Sequence, residues 1–162
     1  MNLWDILFGV ETFETNFSKG QYPALFAYSD PKVKKVVFAL KNGSREAGRV
    51  IAESMKPFIP ANTLVVPIPA SYTRGFNQCT LISRHFPSAE VLFRKNKTTQ
   101  KSLDRKGRLA NVSLYAKIPP DLAERDFCII DDVMTTGATL HEARRVLLAA
   151  GARSVTILAF AH

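Results

Sequence analysis

Cysteine is scarce in this chain of 162 residues: there are two, Cys79 and Cys128, and no Cys-x-x-Cys pair. A zinc ribbon within the chain is therefore excluded, because structural zinc needs clustered ligands. Nothing in the spacing calls for a disulfide, and the pair suits a reducing, cytoplasmic compartment. Histidine is also sparse, with three residues; His85, His141 and His162 have no metal or catalytic spacing, and His141 reads as an exposed first-turn residue. No apolar run approaches the roughly 18 residues that a membrane span needs. The start, Met1–Val10, is apolar but has neither a basic leader nor a small-residue cleavage site, so it is not read as a signal peptide. Its aromatics, with Trp4, Phe8, Phe13 and Phe17, are expected to pack on the domain or on a partner chain, as in a homodimer. Acid is also short, with 14 acidic against 22 basic residues and a net charge of +8, which favours anionic partners.

What is present is a globular composition, 46% hydrophobic and 22% charged, at a length suited to one domain. Residues 1–21 form an N-terminal apolar segment and 22–162 the domain. Tyr22–Tyr28 reads as a strand. Asp30-Pro31 is a helix start, and Val33, Val36, Val37 and Leu40 share the face of the helix that follows. Asn42-Gly43 ends it, and a second helix over about Ser44–Met55 turns Ala47, Val50, Ile51 and Met55 inward. Thr63–Ile68 is a β-branched run of the kind buried on both faces. A short helix over Arg74–Phe86 and a strand over Ala89–Phe93 come next. Arg94–Arg108 is polar, basic and long for a loop. Val112–Ala116 and Asp126–Asp131 read as strands, Leu140–Ala150 as a helix closed by Gly151, and Ser154–Phe160 as a last buried strand. Strands alternating with helices predict an α/β fold, a parallel sheet with helices on both faces.

The most informative stretch is Cys128–Leu140, CIIDDVMTTGATL. A buried strand brings two carboxylates to its C-terminal edge, where open α/β sheets bind ligands. Gly137 lets the backbone approach a ligand. The N–H groups of Thr135, Thr136, Gly137, Ala138 and Thr139 can converge on a phosphate beside the positive end of a helix. Asp131 and Asp132 can accept hydrogen bonds from a sugar diol or hold hydrated magnesium. Thr139 to Glu142 also fits a capping box with Thr139 as N-cap, but that leaves two adjacent acids at a strand end unexplained. A Walker-type nucleotide site would need Gly-Lys-Ser/Thr, which is absent. A receiver domain carries its acidic pair near the chain start, whereas here the pair sits on the penultimate strand.

The apolar strand, Asp-Asp and Thr-Gly-x-Thr resemble the signature for phosphoribosyl pyrophosphate (PRPP) of type I phosphoribosyltransferases. The resemblance implies that Asp131 and Asp132 bind ribose hydroxyls and that Thr135–Thr139 bind the 5′-phosphate. Val66-Pro67-Ile68-Pro69, then Arg74-Gly75-Phe76-Asn77-Gln78, then Thr99-Gln100 with Leu103, Arg105, Arg108 and Asn111, and the earlier Leu40-Lys41-Asn42-Gly43, together resemble the ComF family. These proteins are phosphoribosyltransferase-like and linked to DNA uptake in competence. The Cys-x-x-Cys zinc module of many members is missing, and the loop before Phe76 supplies a single arginine, Arg74. Arg74 and Asn77 are the expected pyrophosphate contacts. Lys101, Arg105 and Arg108, in a loop that by resemblance closes over PRPP, are the expected catalytic cations. Two functions follow. One is a glycosyltransferase that moves phosphoribose from PRPP to a nitrogen base with magnesium as cofactor. The other is a non-catalytic binder of PRPP, a nucleotide or single-stranded DNA.

Overall fold

The computed structural model describes residues 22–70, 75–95 and 113–162. Four parallel strands form the main sheet: β1 (Ala24–Phe26), β2 (Thr63–Pro67), β5 (Asp126–Val133) and β6 (Ser154–Ala161), in the spatial order β1-β6-β5-β2. Two further strands, β3 (Leu92–Arg94) and β4 (Leu114–Ala116), pair antiparallel as a separate ribbon. The helices are α1 (Pro31–Lys41), α2 (Arg45–Met55), α3 (Thr80–Ser83) and α4 (Ala138–Ala149). No described helix is long and apolar enough to cross a membrane.

Side-chain alternation along the strands divides the core in two. Cys128 and Ile130 of β5, Val65 of β2 and Phe160 of β6 pack with Val36 and Leu40 of α1 and Ile51 of α2. Phe127 and Ile129 of β5, Val66 of β2 and Ile157 of β6 pack with Leu140, Ala143 and Leu147 of α4. The sheet is thus covered on both faces, as its near-continuous apolar strands require.

The helix starts follow side-chain capping where the sequence offers it. Asp30 Oδ1 accepts from the N–H of Lys32 at 2.8 Å, and Ser44 Oγ accepts from that of Ala47 at 3.1 Å. Helix α4 differs from expectation: it starts at Ala138, and its N-cap is Gly137 at φ +78°, with no side-chain cap. Thr139 therefore lies inside the first turn, and Glu142 pairs with Arg145 at 2.7 Å instead of reaching back. The expected helix over Arg74–Phe86 contracts to Thr80–Ser83. Asn77 holds the preceding stretch out of helix, since its side chain bonds the carbonyl of Ile68 and the N–H of Cys79. The expected strand over Ala89–Phe93 is observed as the shorter β3, Leu92–Arg94, preceded by a single parallel bridge from Ser88 to Val65.

Helices α2 and α3 approach so closely that residue 48 must be glycine. A Cβ on Gly48 would lie 2.5 Å from the carbonyl oxygen of Leu81. Replacing a mid-helix glycine by alanine normally gains about 1 kcal/mol, but here the contact is with backbone, which cannot rotate away. Gly48→Ala is expected to destabilise the protein by about 1–3 kcal/mol, the usual cost of overpacking, as measured by urea unfolding.

Candidate functional site

Strand β5 is paired on both sides only as far as Ile130. Its ladder with β2 ends at Pro67 opposite Ile130, closed by the N–H of Ile68 donating to the Ile130 carbonyl at 3.1 Å. Beyond that point β6 alone accompanies it, with Asp131 opposite Ala159 and Val133 opposite Ala161. The chain after β2 turns away, which opens a cleft of about 230 Å³ at the C-terminal edge of the sheet. Asp131 and Val133 form part of its floor, residues 134–140 one wall, and Ile68, Pro69 and Ala70 the other, with Lys41, Gln78 and Arg94 at the margins.

That second wall is tethered from two directions. Asn77 Nδ2 donates to the Ile68 carbonyl at 2.8 Å. Arg94 Nε donates to the carbonyls of Pro69 and Ala70, at 3.2 and 2.7 Å. With its amide engaged in this way, Asn77 lines a neighbouring depression that includes Phe93 and Tyr115, and positions backbone instead of facing the cleft.

The pleat sends the two acids to opposite faces. Asp131 shares the parity of Phe127 and Ile129, is half-buried, and lines the cleft. Asp132 shares the parity of Cys128 and Ile130 and is buried, with Lys41 of α1 beside it. Lys41, the last residue of α1, brings its Nζ within 4.0 Å of Asp132 Oδ2. This is too long for a hydrogen bond, and Oδ2 is left buried without a partner. Asp131 Oδ1 accepts from the N–H of Asp132 at 2.8 Å and lies 3.9 Å from Cys79 Sγ. Burial and then the neighbouring Asp132 carboxylate push the Asp131 carboxyl well above the usual range, with Lys41 pulling weakly the other way. Burial also raises the Cys79 thiol, and the two carboxylates raise it further.

The wall of residues 134–140 carries the means of holding an anion. Thr135 and Thr136 are exposed, Thr136 Oγ1 accepts from the N–H of Ala138 at 3.3 Å, and all five residues from Thr135 to Thr139 line the cleft. The first-turn N–H groups of α4 have no intrahelical carbonyl to reach, and the positive helix end beside the cleft favours negative charge there. Gly137 serves this wall through its positive φ. A Cβ there would make ordinary contacts of 3.5 Å with Tyr22 and 3.6 Å with Met134, so dihedral freedom matters here more than space.

Asp131, Thr135, Thr136, Gly137, Ala138 and Thr139 are thus brought together in one cleft. Asp132 does not line the cleft but keeps a carboxylate oxygen within 4.8 Å of Asp131, and Asn77 stands behind the wall. Arg74, Lys101, Arg105 and Arg108 lie outside the described residues, as does the segment 1–21. The sequence reading did not assign Cys79 or Arg94 to the site. Cys79 carries no motif and lies 52 residues before Asp131, and Arg94 is one cation at the edge of a basic run.

No protein-family model matches the chain. Among curated proteins, Competence protein ComFC of Bacillus subtilis is 36% identical over 94 residues, 54% of this chain and 39% of the relative. Competence protein F of Haemophilus influenzae is 28% identical over 113 residues, 60% of this chain and 49% of the relative. A uracil phosphoribosyltransferase of Lysinibacillus sphaericus is 40% identical over 50 residues, 31% of this chain and 24% of the relative. The chain therefore spans half or less of the curated relatives it matches. The solved structure of the allosteric regulatory enzyme of purine biosynthesis overlays at a TM-score of 0.48 with 11% identity, over 98% of this chain and 30% of that one.

Asp131 is held in an environment that opposes its ionisation, so Asp131→Asn is expected to stabilise the ligand-free protein at neutral pH by about 1 kcal/mol. Asparagine keeps the Oδ1 acceptor and removes the charge. The sign fixes the pH dependence. A carboxyl whose folded pKa is raised above its unfolded value destabilises the fold at higher pH. That penalty is relieved as pH falls through the folded pKa. The gap between variant and wild type in urea midpoint should be widest at neutral pH and close on acidification. A gap that widens towards low pH would contradict the burial argument.

Proposed function

We propose that this chain, similar over about half its length to the competence proteins ComFC and F, binds PRPP, or a related ribose 5-phosphate, in the cleft beside β5. The observation that carries this reading is the juxtaposition of the half-buried Asp131 with a helix start at a left-handed glycine, both facing one cleft. The 5′-phosphate would sit against Thr135–Thr139, taking backbone N–H groups and threonine hydroxyls. The ribose hydroxyls would donate to Asp131, which supplies the acceptor they need.

Magnesium fits the two carboxylates as hard oxygen donors, and the unpartnered Asp132 Oδ2 is an acceptor that a cation would satisfy. Asp131 and Asp132 would hold it directly, through water or through the ligand, and it would neutralise phosphate charge. Lys41 would share that work from the margin of the cleft. Turnover, in this reading, transfers phosphoribose to a nitrogen base and releases pyrophosphate, with Arg74, Lys101, Arg105 and Arg108 as the candidate cations around the leaving group. Both cysteines are free thiols, which suits a cytoplasmic setting.

Calorimetry with PRPP and magnesium tests the binding. One equivalent should bind, and Asp131→Asn should weaken it by about 1.5–3 kcal/mol, the range for hydrogen bonds to a charged group. Gly137→Val should abolish it, because a β-branched residue cannot take φ +78° without strain, while Gly137→Asn should retain much of it. No binding to the wild type, or equal binding to Asp131→Asn, would refute the reading. Pyrophosphate release across a panel of bases then decides between transferase and binder.

A second reading, single-stranded nucleic acid, is favoured by one surface. Phe93 and Tyr115 stack across the β3–β4 ribbon with centroids 5.3 Å apart, and Tyr115 is exposed. Lys95 and Lys117 have the same strand parity and bracket the pair, Lys95 at the register of Ser113 and Lys117 at that of Val91. Bases stacking on Tyr115 while the lysines meet phosphates is the usual arrangement for such sites. The log of affinity should fall with the log of salt by about 0.7 per phosphate neutralised, and Tyr115→Ala should weaken binding in anisotropy titrations. A flat salt response would exclude it.

A further inference from the structure

Two buried acceptors beside the cleft lack a donor: Asp132 Oδ2 and Gln78 Oε1. Gln78 directly precedes Cys79, whose thiol is itself buried and lies 3.9 Å from Asp131 Oδ1. Cys79, Asp131 and Asp132 each offer a ligand atom within 4.8 Å of the other two. A thiol and two carboxylates in one group, one of them with an orphaned buried oxygen, leave a demand for positive charge. Lys41, standing 4.0 Å from Asp132 Oδ2, meets it only in part.

We propose that Cys79, Asp131 and Asp132 form a site for one thiophilic divalent cation of the zinc class, with a fourth coordination position open to the cleft. Zinc takes sulfur at about 2.3 Å and carboxylate oxygen at about 2.0–2.2 Å, which sets tetrahedral ligands about 3.5 Å apart. Cys79 Sγ already lies 3.9 Å from Asp131 Oδ1, and no pair in the group is more than 4.8 Å apart, so the ligands must close by about 1.3 Å at most to reach that spacing. Magnesium is a poor occupant of this donor set, because it demands six oxygen ligands and has little affinity for sulfur. The site is therefore distinct in chemistry from the magnesium position, although the two share Asp131 and Asp132.

The binding step is an exchange of a proton for a metal ion. The Cys79 S–H bond breaks, the proton passes to solvent, and the sulfur lone pair forms the bond to the metal; nothing is oxidised or reduced. The ion reaches the site from the cleft, where Asp131 is accessible. The Lys41 ammonium opposes it. That side chain is 30% exposed at the end of α1 and can withdraw to water. An ion held here removes the Asp131 carboxylate from the sugar hydroxyls, so zinc and the phosphoribosyl ligand exclude one another. The exclusion rests on the function proposed above; the metal site does not.

Titration of the whole chain with cadmium, without any phosphoribosyl compound, tests the site through the ultraviolet thiolate-to-cadmium charge-transfer band. One equivalent should produce the band. Cys79→Ser should abolish it, and Cys128→Ser should keep it. Chelator competition should show at least about a hundredfold weaker binding when Cys79 is lost, the upper range for loss of mere supporting contacts. Lys41→Met should tighten binding, a direction that a structural role for Lys41 does not predict. Absence of the band in the folded wild type, or its survival in Cys79→Ser, overturns the proposal. Should circular dichroism show Cys79→Ser unfolded, Asp132→Asn takes its place: weaker cadmium binding supports the site, and unchanged affinity overturns it. In a separate arm, zinc at saturating concentration should lower the affinity for PRPP. An unchanged PRPP affinity with the cadmium band intact would overturn the exclusion alone, and loss of PRPP binding without metal would concern the phosphoribosyl reading alone.

Discussion

Strand β5 is longer than the ladder that supports it. From Asp126 to Ile130 it is hydrogen-bonded to β2 on one side and β6 on the other, and from Asp131 onwards to β6 alone. The first five residues are fixed by packing on both faces. The last three project into a gap where β2 has turned away. Everything that makes a site follows from that difference in length. The gap is the cleft, its floor is whatever β5 carries past Ile130, and its walls are the two loops that leave β2 and β5. An apolar residue at position 131 would simply extend the core. An acid there must find a proton, a cation or a ligand.

The structure leaves that need unmet. Asp131 and Asp132 are neighbours, and the pleat gives them different faces but not enough separation to ignore each other's charge. Lys41 is the described cation paired with Asp132, and it stops short of a hydrogen bond with Oδ2. The other ion pairs among the described residues are closed. Arg153 and Ser154 both donate to Asp126 at the opposite end of β5, and those contacts hold its carboxyl down at about 2. One strand thus carries a satisfied carboxylate at its N-terminus and, near its C-terminus, two adjacent carboxylates of which Asp132 has an orphaned oxygen. A protein selected for stability alone would have no reason to keep the second arrangement. It is the state expected of groups that await a ligand.

The sequence made the frame of this site legible because the frame is local. Apolar runs marked β2, β5 and β6, Asp30 and Ser44 marked helix starts, and the Asp-Asp followed by small hydroxylic residues and glycine marked the strand-to-helix turn. What could not be read depends on chain segments meeting in space. Cys79 looks like any small apolar residue until α3 sets it against Asp131. The amide of Asn77 looks free for a ligand until the loop after β2 folds back and takes it up at Ile68. Thr139 was a reasonable cap by spacing, but Gly137 adopts a left-handed conformation that starts the helix earlier. The helix over Arg74–Phe86 was over-read for the same reason as Asn77, since a side chain engaged in a distant backbone contact does not show in propensity.

Arg94 links the parts that local reading separates. It belongs to β3, pairs opposite Leu114 in the ribbon, and reaches the Pro69 and Ala70 carbonyls with the same Nε. The wall of the cleft is therefore held from the ribbon as well as from Asn77. The depression lined by Phe93 and Tyr115 shares Pro69, Ala70 and Arg94 with the cleft. Two surfaces joined by a common wall cannot be filled independently if filling either one moves that wall. Any coupling that results is reciprocal, so a ligand in the cleft must alter affinity at the ribbon by the factor with which the ribbon's ligand alters the cleft. Arg94 is where that coupling would have to pass, because it is the described side chain that bonds the wall from the ribbon side.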